Sequence, residues 1–284
     1  MIHAVLSVLA LLEVTLPVTC DLEPSVRPER VEAYYALAQN CLADPPGALF
    51  FEPEMEAALV ARVNVARKDA GLAPLAVRVE LLDPARFHSV DMARTVGVDH
   101  LGGGGRSPFD RIAALDRKLV SSAASENLSR VGGAIEPGEL IEWIHSGLMN
   151  SPGHRMNILS EDATHIGIGV VSDGDTYFTT QLFVRQVTTL TEDAPVSPWG
   201  DVDPGDLPAL APPGLGEWTF LGYGVDYGDG SVVPIDGEGV LPEGAGRLVI
   251  RGRMNDPDDP MRFFTVAYQG PSVHVKAPWN APEP

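Results

Sequence analysis

A chain of 284 residues, 44% of them hydrophobic, is long enough for one large or two modest domains with a full apolar core. Its 39 acidic against 20 basic residues give a net charge of −19. That balance repels phosphate backbones and anionic membrane surfaces, and it excludes nucleic acid as a partner.

The apolar run from Ala4 to Leu12 has the length of a signal-peptide core and is too short to cross a bilayer. Residues 1–20 are therefore read as a signal peptide, and the mature chain is expected to be secreted or periplasmic without a transmembrane span. No Lys or Arg precedes the run and Glu13 closes it, which leaves a buried N-terminal helix as the alternative. Cys20 and Cys41, the only cysteines, suit one disulfide closing an N-terminal loop. Cleavage after Cys20, leaving Cys41 unpaired, and a lipid-anchored Cys20 are the competing readings.

Residues 21–53 read as a loop-rich extension with one helical patch, Val31 to Cys41. From Glu54 apolar residues recur at helical spacing, Met55, Leu59, Val63 and Ala66, until Gly71 supplies a C-terminal cap. A second helix is predicted from Glu80 to Val96, with His88 on its apolar stripe as a satisfied core residue. Asp99-His100-Leu101 and the glycines 102–105 have no helix or strand preference and form a loop. Ser107 at an N-cap and Pro108 at the first helical position start a short helix ending near Leu115. Another helix fits Pro137 to Met149.

The stretch Asn150 to Leu159 places His154 directly after a Pro-Gly turn. Beyond it the period changes. Ile166, Ile168 and Val170 alternate with Gly167 and Gly169, a strand with little bulk on one face, and Asp173-Gly174 turns it into a partner strand from Tyr177 to Val184. Residues 188–216 are rich in Pro and Asp and read as a linker. Strands near Trp218 to Val225, Gly246 to Arg253 and Arg262 to Tyr268 then suggest a small all-β unit over 217–278.

Three polar side chains carry the site expectation: His100 beside the glycine loop, Glu126 before Asn127, and His154 after Pro-Gly. Two imidazoles and a carboxylate suit a divalent cation, zinc first, yet no local ligand spacing such as His-Glu-x-x-His singles them out. A hydrogen-bonded polar network is the equal alternative. Ser107, Ser125 and Ser151 lie near these residues without a nucleophile elbow, and capping or turn bonding is their expected role. His145 and His165 are expected at surface or edge positions. The acidic pieces Asp201 to Asp206 and Asp256 to Asp259 lack the alternation of a calcium loop and read as solvated turns.

The order Asn64-x-x-Arg67, Gly71-Leu72-x-Pro74-Leu75 and Ser89-x-Asp91-Met92 resembles bacterial members of the CAP superfamily, which includes cysteine-rich secretory, antigen-five and pathogenesis-related proteins. The resemblance continues through His100, Ser107 to Ile112, Glu126-Asn127-Leu128, Ser151 to Leu159, Ile166 to Val170 and Gln181-x-Phe183. It implies an α+β fold, an α-β-α sandwich around a small antiparallel sheet over residues 54–187, with His100, Glu126 and His154 in a shallow cleft. The family's second cleft acid has no match: Glu139 and Glu142 sit in no recognisable pattern, and Leu148 stands where bacterial relatives often carry Trp. No shared reaction defines such proteins. The leading expectation is an extracellular binding module for a small-molecule, lipid-like or protein ligand, with a divalent cation as a candidate cofactor. A metal-dependent hydrolase of peptides or cell-wall material and a rigid scaffold for protein contacts are the alternatives.

Overall fold

The computed structural model describes residues 20–22, 30–210, 218–256, 258, 259 and 261–277. The signal-peptide expectation falls on residues 1–19, outside the described residues, as does the end of the Pro/Asp-rich stretch, 211–217. The helices are α1 (Val31–Ala43), α2 (Pro53–Asp69), α3 (Leu82–Asp91, continued by a π turn Met92–Val96), α4 (Pro108–Leu115), α5 (Pro137–Asn150) and α6 (Pro152–Ile158). The strands are β1 (Leu49–Phe51), β2 (Ala76–Val77), β3 (Leu119–Gly132), β4 (His165–Asp173), β5 (Thr176–Thr189), β6 (Trp218–Asp226), β7 (Val232–Ile235), β8 (Gly244–Asn255) and β9 (Phe263–Val275).

The strands form one sheet in the order β1-β4-β5-β3-β9-β8-β6-β7, with β2 added beside β4. Pairing along that path is antiparallel, and only the short β2 runs parallel to its neighbour. Alternation in β4 decides how the helices pack. Ile166, Ile168 and Val170 point to one face, into a core with Leu59 and Val63 of α2 and Leu140, Ile144 and Leu148 of α5. Gly167 and Gly169 point to the other, where the α3 backbone lies directly on the strand. A Cβ on Gly169 would come within 2.3 Å of the Arg86 nitrogen, and one on Gly167 within 2.3 Å of the Leu81 Cβ. The sheet is thus sandwiched, with one glycine-bearing face reserved for a close helix.

The N-terminal segment is less loop-like than its composition suggests. Tyr34, Leu37, Ala38 and Cys41 on α1 are buried against Phe87 and Val90 of α3, and Cys20 is disulfide-bonded to Cys41. A cross-link between positions 21 apart limits the unfolded chain and stabilises the fold by about 3 kcal/mol.

The Pro/Asp-rich stretch also departs from its reading as a free linker. Leu190, Ala194 and Leu207 are buried in the same core as Val225, Leu248, Ile250 and Val275 of the C-terminal strands and Val120 of β3. Buried Arg117 fixes this junction, donating to the carbonyls of Ala194, Pro195 and Ser272. The C-terminal strands therefore continue the central sheet, through the Ser121–Gln269 pair of β3 and β9. The acidic pieces behave as turns: Asp203 caps the short helix Pro204–Asp206, and Asp256 and Asp259 accept from backbone N–H groups two residues on.

Gly169→Ala is expected to cost about 1–3 kcal/mol or more by overpacking against α3. Gly138→Ala, at a position with nothing within 4 Å of the added Cβ, should be near neutral. Urea denaturation of the two variants beside the parent protein checks this.

Candidate functional site

Glu126 lies in the middle of β3 and not at a loop junction, paired with Leu182 of β5 across the sheet. The run Ser-Ser-Ala-Ala-Ser-Glu-Asn carries no clean alternation, which hides this 14-residue strand from a periodicity reading. Ser125 is accordingly a strand residue, not a cap. Ser107 is a cap, in a capping box with Asp110. Ser151 stands at the N-cap of α6 without a side-chain cap bond.

The Glu126 carboxylate is only 1% exposed and both its oxygens are engaged. One accepts from His100 Nδ1 at 2.9 Å, and the other accepts from the buried Arg111 guanidinium. Arg111 also donates to the carbonyls of His100 (2.9 Å) and Arg106 (2.6 Å), so one side chain of α4 ties both ends of the glycine loop to the carboxylate. Asp91 of α3 accepts from the Gly103 N–H at 2.6 Å and holds the loop from its other side. His88 is fully buried, as its apolar stripe predicted, with Nε2 3.0 Å from the Asp99 carbonyl and 4.0 Å from Glu126.

His154 is brought to the same place by a chain of amides. Asn127 donates to the His154 carbonyl at 3.0 Å, while Asn157 donates to the Glu126 carbonyl at 3.1 Å and to Asn127 Oδ1 at 2.9 Å. Arg67 of α2, 2% exposed, fastens the end of α6 by donating to the carbonyls of Ile158 and Ser160. Asn64 clamps Leu75 through two bonds, N–H to Oδ1 and Nδ2 to the carbonyl. The invariant-looking polar pairs of the motif are backbone tethers rather than chemistry.

His100 lies near enough to His154 for its charge to act on that ring. The His100 side chain is 56% exposed, and His154 is half-buried. Partial burial, and then the nearby charge of His100, lower the His154 pKa below its ordinary 6.5. Burial pushes the Glu126 carboxyl above its ordinary value, with Arg111 and His100 opposing that rise.

As a three-ligand set, His100, Glu126 and His154 do not fit a divalent cation. Both Glu126 oxygens already accept a hydrogen bond, and a guanidinium in contact with the carboxylate repels a dication. Among the described residues no group of three His, Cys, Asp or Glu side chains is placed to hold a metal ion. The two imidazoles alone have the donor chemistry for one. Glu142 does not complete a tetrad, because it is paired with Arg62 of α2 at 3.1 Å. His145, expected at the surface, is buried in α5 at 9% exposure. His165 lies at the start of β4, bonded to Thr164. Arg111 is the residue the residue-level reading missed. Its only signal was its place in the Ser107 to Ile112 motif, since a surface helix shows Arg just as often.

Two outcomes follow from this geometry. Removing the guanidinium by Arg111→Met strands a buried carboxylate and should destabilise the protein by about 3–5 kcal/mol at pH 7. Because a stranded Glu126 has its folded pKa raised further, its share of stability is present at low pH and lost as pH rises. The deficit must therefore shrink as pH falls from 7 toward 4.5, and a pH-independent deficit in urea melts contradicts the pairing. His154 should titrate below 6.5 by NMR and move up toward that value in His100→Ala, which removes the neighbouring charge.

Comparison with known proteins bears on the same segment. Residues 60–184 match the family model CAP, described as the cysteine-rich secretory protein family. Over 130 residues the chain is 35% identical to the uncharacterized protein YkwD of Bacillus subtilis, covering 45% of this chain and 46% of that relative. The chain thus spans about half the length of this curated relative. Among solved structures, an outer surface protein from Borrelia burgdorferi is 20% identical with a TM-score of 0.43, covering 49% of this chain and 98% of that one. An extracellular SCP-domain protein from Bacillus anthracis is 25% identical with a TM-score of 0.39, covering 47% and 41%. A cysteine-rich secretory protein from Staphylococcus aureus is 20% identical with a TM-score of 0.36, covering 47% and 38%. The tethers and the family match coincide on one stretch, residues 60–184, which is the part of the chain similar to the CAP family.

Proposed function

We propose that this protein is an extracellular, non-enzymatic binding module whose CAP-domain cleft takes a small or lipid-like ligand between His100 and His154. The observation that carries the reading is the state of Glu126. A carboxylate only 1% exposed, with one oxygen on Arg111 and the other on His100, is shut away from solvent and substrate, so it serves as a positioning residue and not as a general base. Its work is to fix the His100 ring, with Nδ1 toward the carboxylate and Nε2 left for the cleft. His154, held below its ordinary pKa, stays neutral at pH 7 and offers a ring nitrogen as acceptor. These two imidazoles would also hold a divalent cation, zinc by donor type. A carboxylate that orients a histidine from behind raises the basicity of a ligand without being one.

Export is part of the proposal. The apolar run Ala4 to Leu12 supports it, as does the Cys20–Cys41 disulfide, a bond that persists in oxidising compartments. Among the described residues no helix is long and apolar enough to cross a membrane.

Metal titration of protein purified without nickel chromatography tests the cation part. Zinc should bind at one site, at least tenfold more weakly in His100→Ala and in His154→Ala, and more weakly in Glu126→Gln through loss of ring alignment. Equal zinc uptake by the parent and both histidine variants would sink the reading. For the rival hydrolase, turnover of peptide or peptidoglycan that disappears in Glu126→Gln would overturn the non-enzymatic assignment.

A further inference from the structure

A cavity of about 330 Å³ lies between α4 and the C-terminal strands, and none of His100, Glu126 or His154 lines it. Its volume falls at the lower end of the range for small-molecule sites, about 300–1,000 Å³. Both parts of the fold supply its walls: Asp110 comes from α4, and Asp226, Tyr227, Arg247, Gln269 and Ser272 come from the C-terminal strands and their turns.

The polar groups facing this space are not used up by the fold. Arg247 donates to Asp110 at 2.8 Å and lies over the Phe109 ring, yet its buried Nε has no hydrogen-bond partner among the described residues. Asp226 accepts from the Gly228 N–H through one oxygen, which leaves the second. The Ser272 carbonyl is taken by Arg117, but its hydroxyl and the Gln269 amide make no hydrogen bond within the described residues. Tyr227 is steadied by its hydroxyl bond to the Pro242 carbonyl, at 2.7 Å, so that its ring forms a fixed wall. A buried donor such as Arg247 Nε is costly without a partner, and the half-buried Asp226 and Gln269 beside it are open to water or a ligand.

The composition of the wall selects the ligand class. Asp110 and Asp226 oppose a simple anion, and Arg247 and Arg106, the last at the end of the glycine loop and also lining the space, oppose a simple cation. The Asp110–Arg247 pair neutralises itself. What remains is a nearly equal set of donors and acceptors beside an aromatic face, which matches a neutral compound carrying several hydroxyls. We infer that the cavity between α4 and the C-terminal strands is a second binding site, separate from the histidine cleft, for a neutral saccharide of one or two rings.

Saturation-transfer NMR on the full chain, with diacetylchitobiose and maltose as probes and glycine and L-arginine as zwitterionic comparisons, tests this. At least one saccharide should bind. Gln269→Leu, which keeps the side-chain volume but removes the amide, should weaken it about tenfold, the loss of roughly 1.4 kcal/mol in hydrogen bonds. Asp226→Asn retains the turn acceptor and serves as the second variant should Gln269→Leu fail to fold. His154→Ala should leave saccharide binding unchanged, which separates this site from the cleft. The inference is overturned if neither saccharide binds at tens of millimolar, if binding survives both cavity variants, if His154→Ala abolishes it, or if only the zwitterions bind.

Discussion

Everything about the cleft depends on one buried ion pair. Arg111 and Glu126 come from α4 and β3, and each is almost inaccessible to water. Taking both charges out of solvent is expensive, and it is offset by their mutual contact and by the further hydrogen bonds each side chain makes, with only Arg111 Nε of this pair left without a partner among the described residues. Arg111 spends its other donors on the two ends of the glycine loop, and Glu126 spends its second oxygen on His100. The loop, a stretch without intrinsic structure, is thereby given one conformation. Gly102 fits because Arg111 Cδ and Asp91 Oδ2 lie 3.3 Å from where a Cβ would stand, and the Gly103 N–H donates to the same Asp91 oxygen.

The same pair turns the chemistry of the cleft. A carboxylate and two histidines in one place invite a reading as metal ligands or as an acid–base set. With Glu126 committed to Arg111, the charge at the bottom of the cleft is neutralised and the mouth is left to two imidazoles of differing exposure. That arrangement is what supports the proposed binding role, and Glu142, paired with Arg62, adds no second acid to it.

The C-terminal strands change the CAP-like region from a closed sandwich into part of a longer sheet. β3 would otherwise present an open edge along its first residues, which is a hazard in any exposed strand. Pairing with β9 at Ser121, and the Arg117 bonds to Ala194, Pro195 and Ser272, cover it. That docking also creates the cavity beside α4, which neither part of the chain has alone.

What the sequence determined was local. Helical spacing at Met55, Leu59 and Val63, the Ser107-Pro108 start of α4 and the Ile-Gly alternation of β4 all appear in the structure, because each depends on neighbours within a few residues. The pattern of polar motifs marked His100, Glu126 and His154 as belonging together; in the structure His100 bonds Glu126, and Asn127 beside it bonds the His154 carbonyl. Tertiary structure decided the rest. β3 was illegible because its small polar residues follow no period and gain their order from pairing with β5. The Pro/Asp-rich stretch looked free because burial of Leu190 and Leu207 depends on strands more than ten residues away. The role of Glu126 turned on Arg111, 15 positions earlier, and composition alone does not show which cation a buried acid will meet.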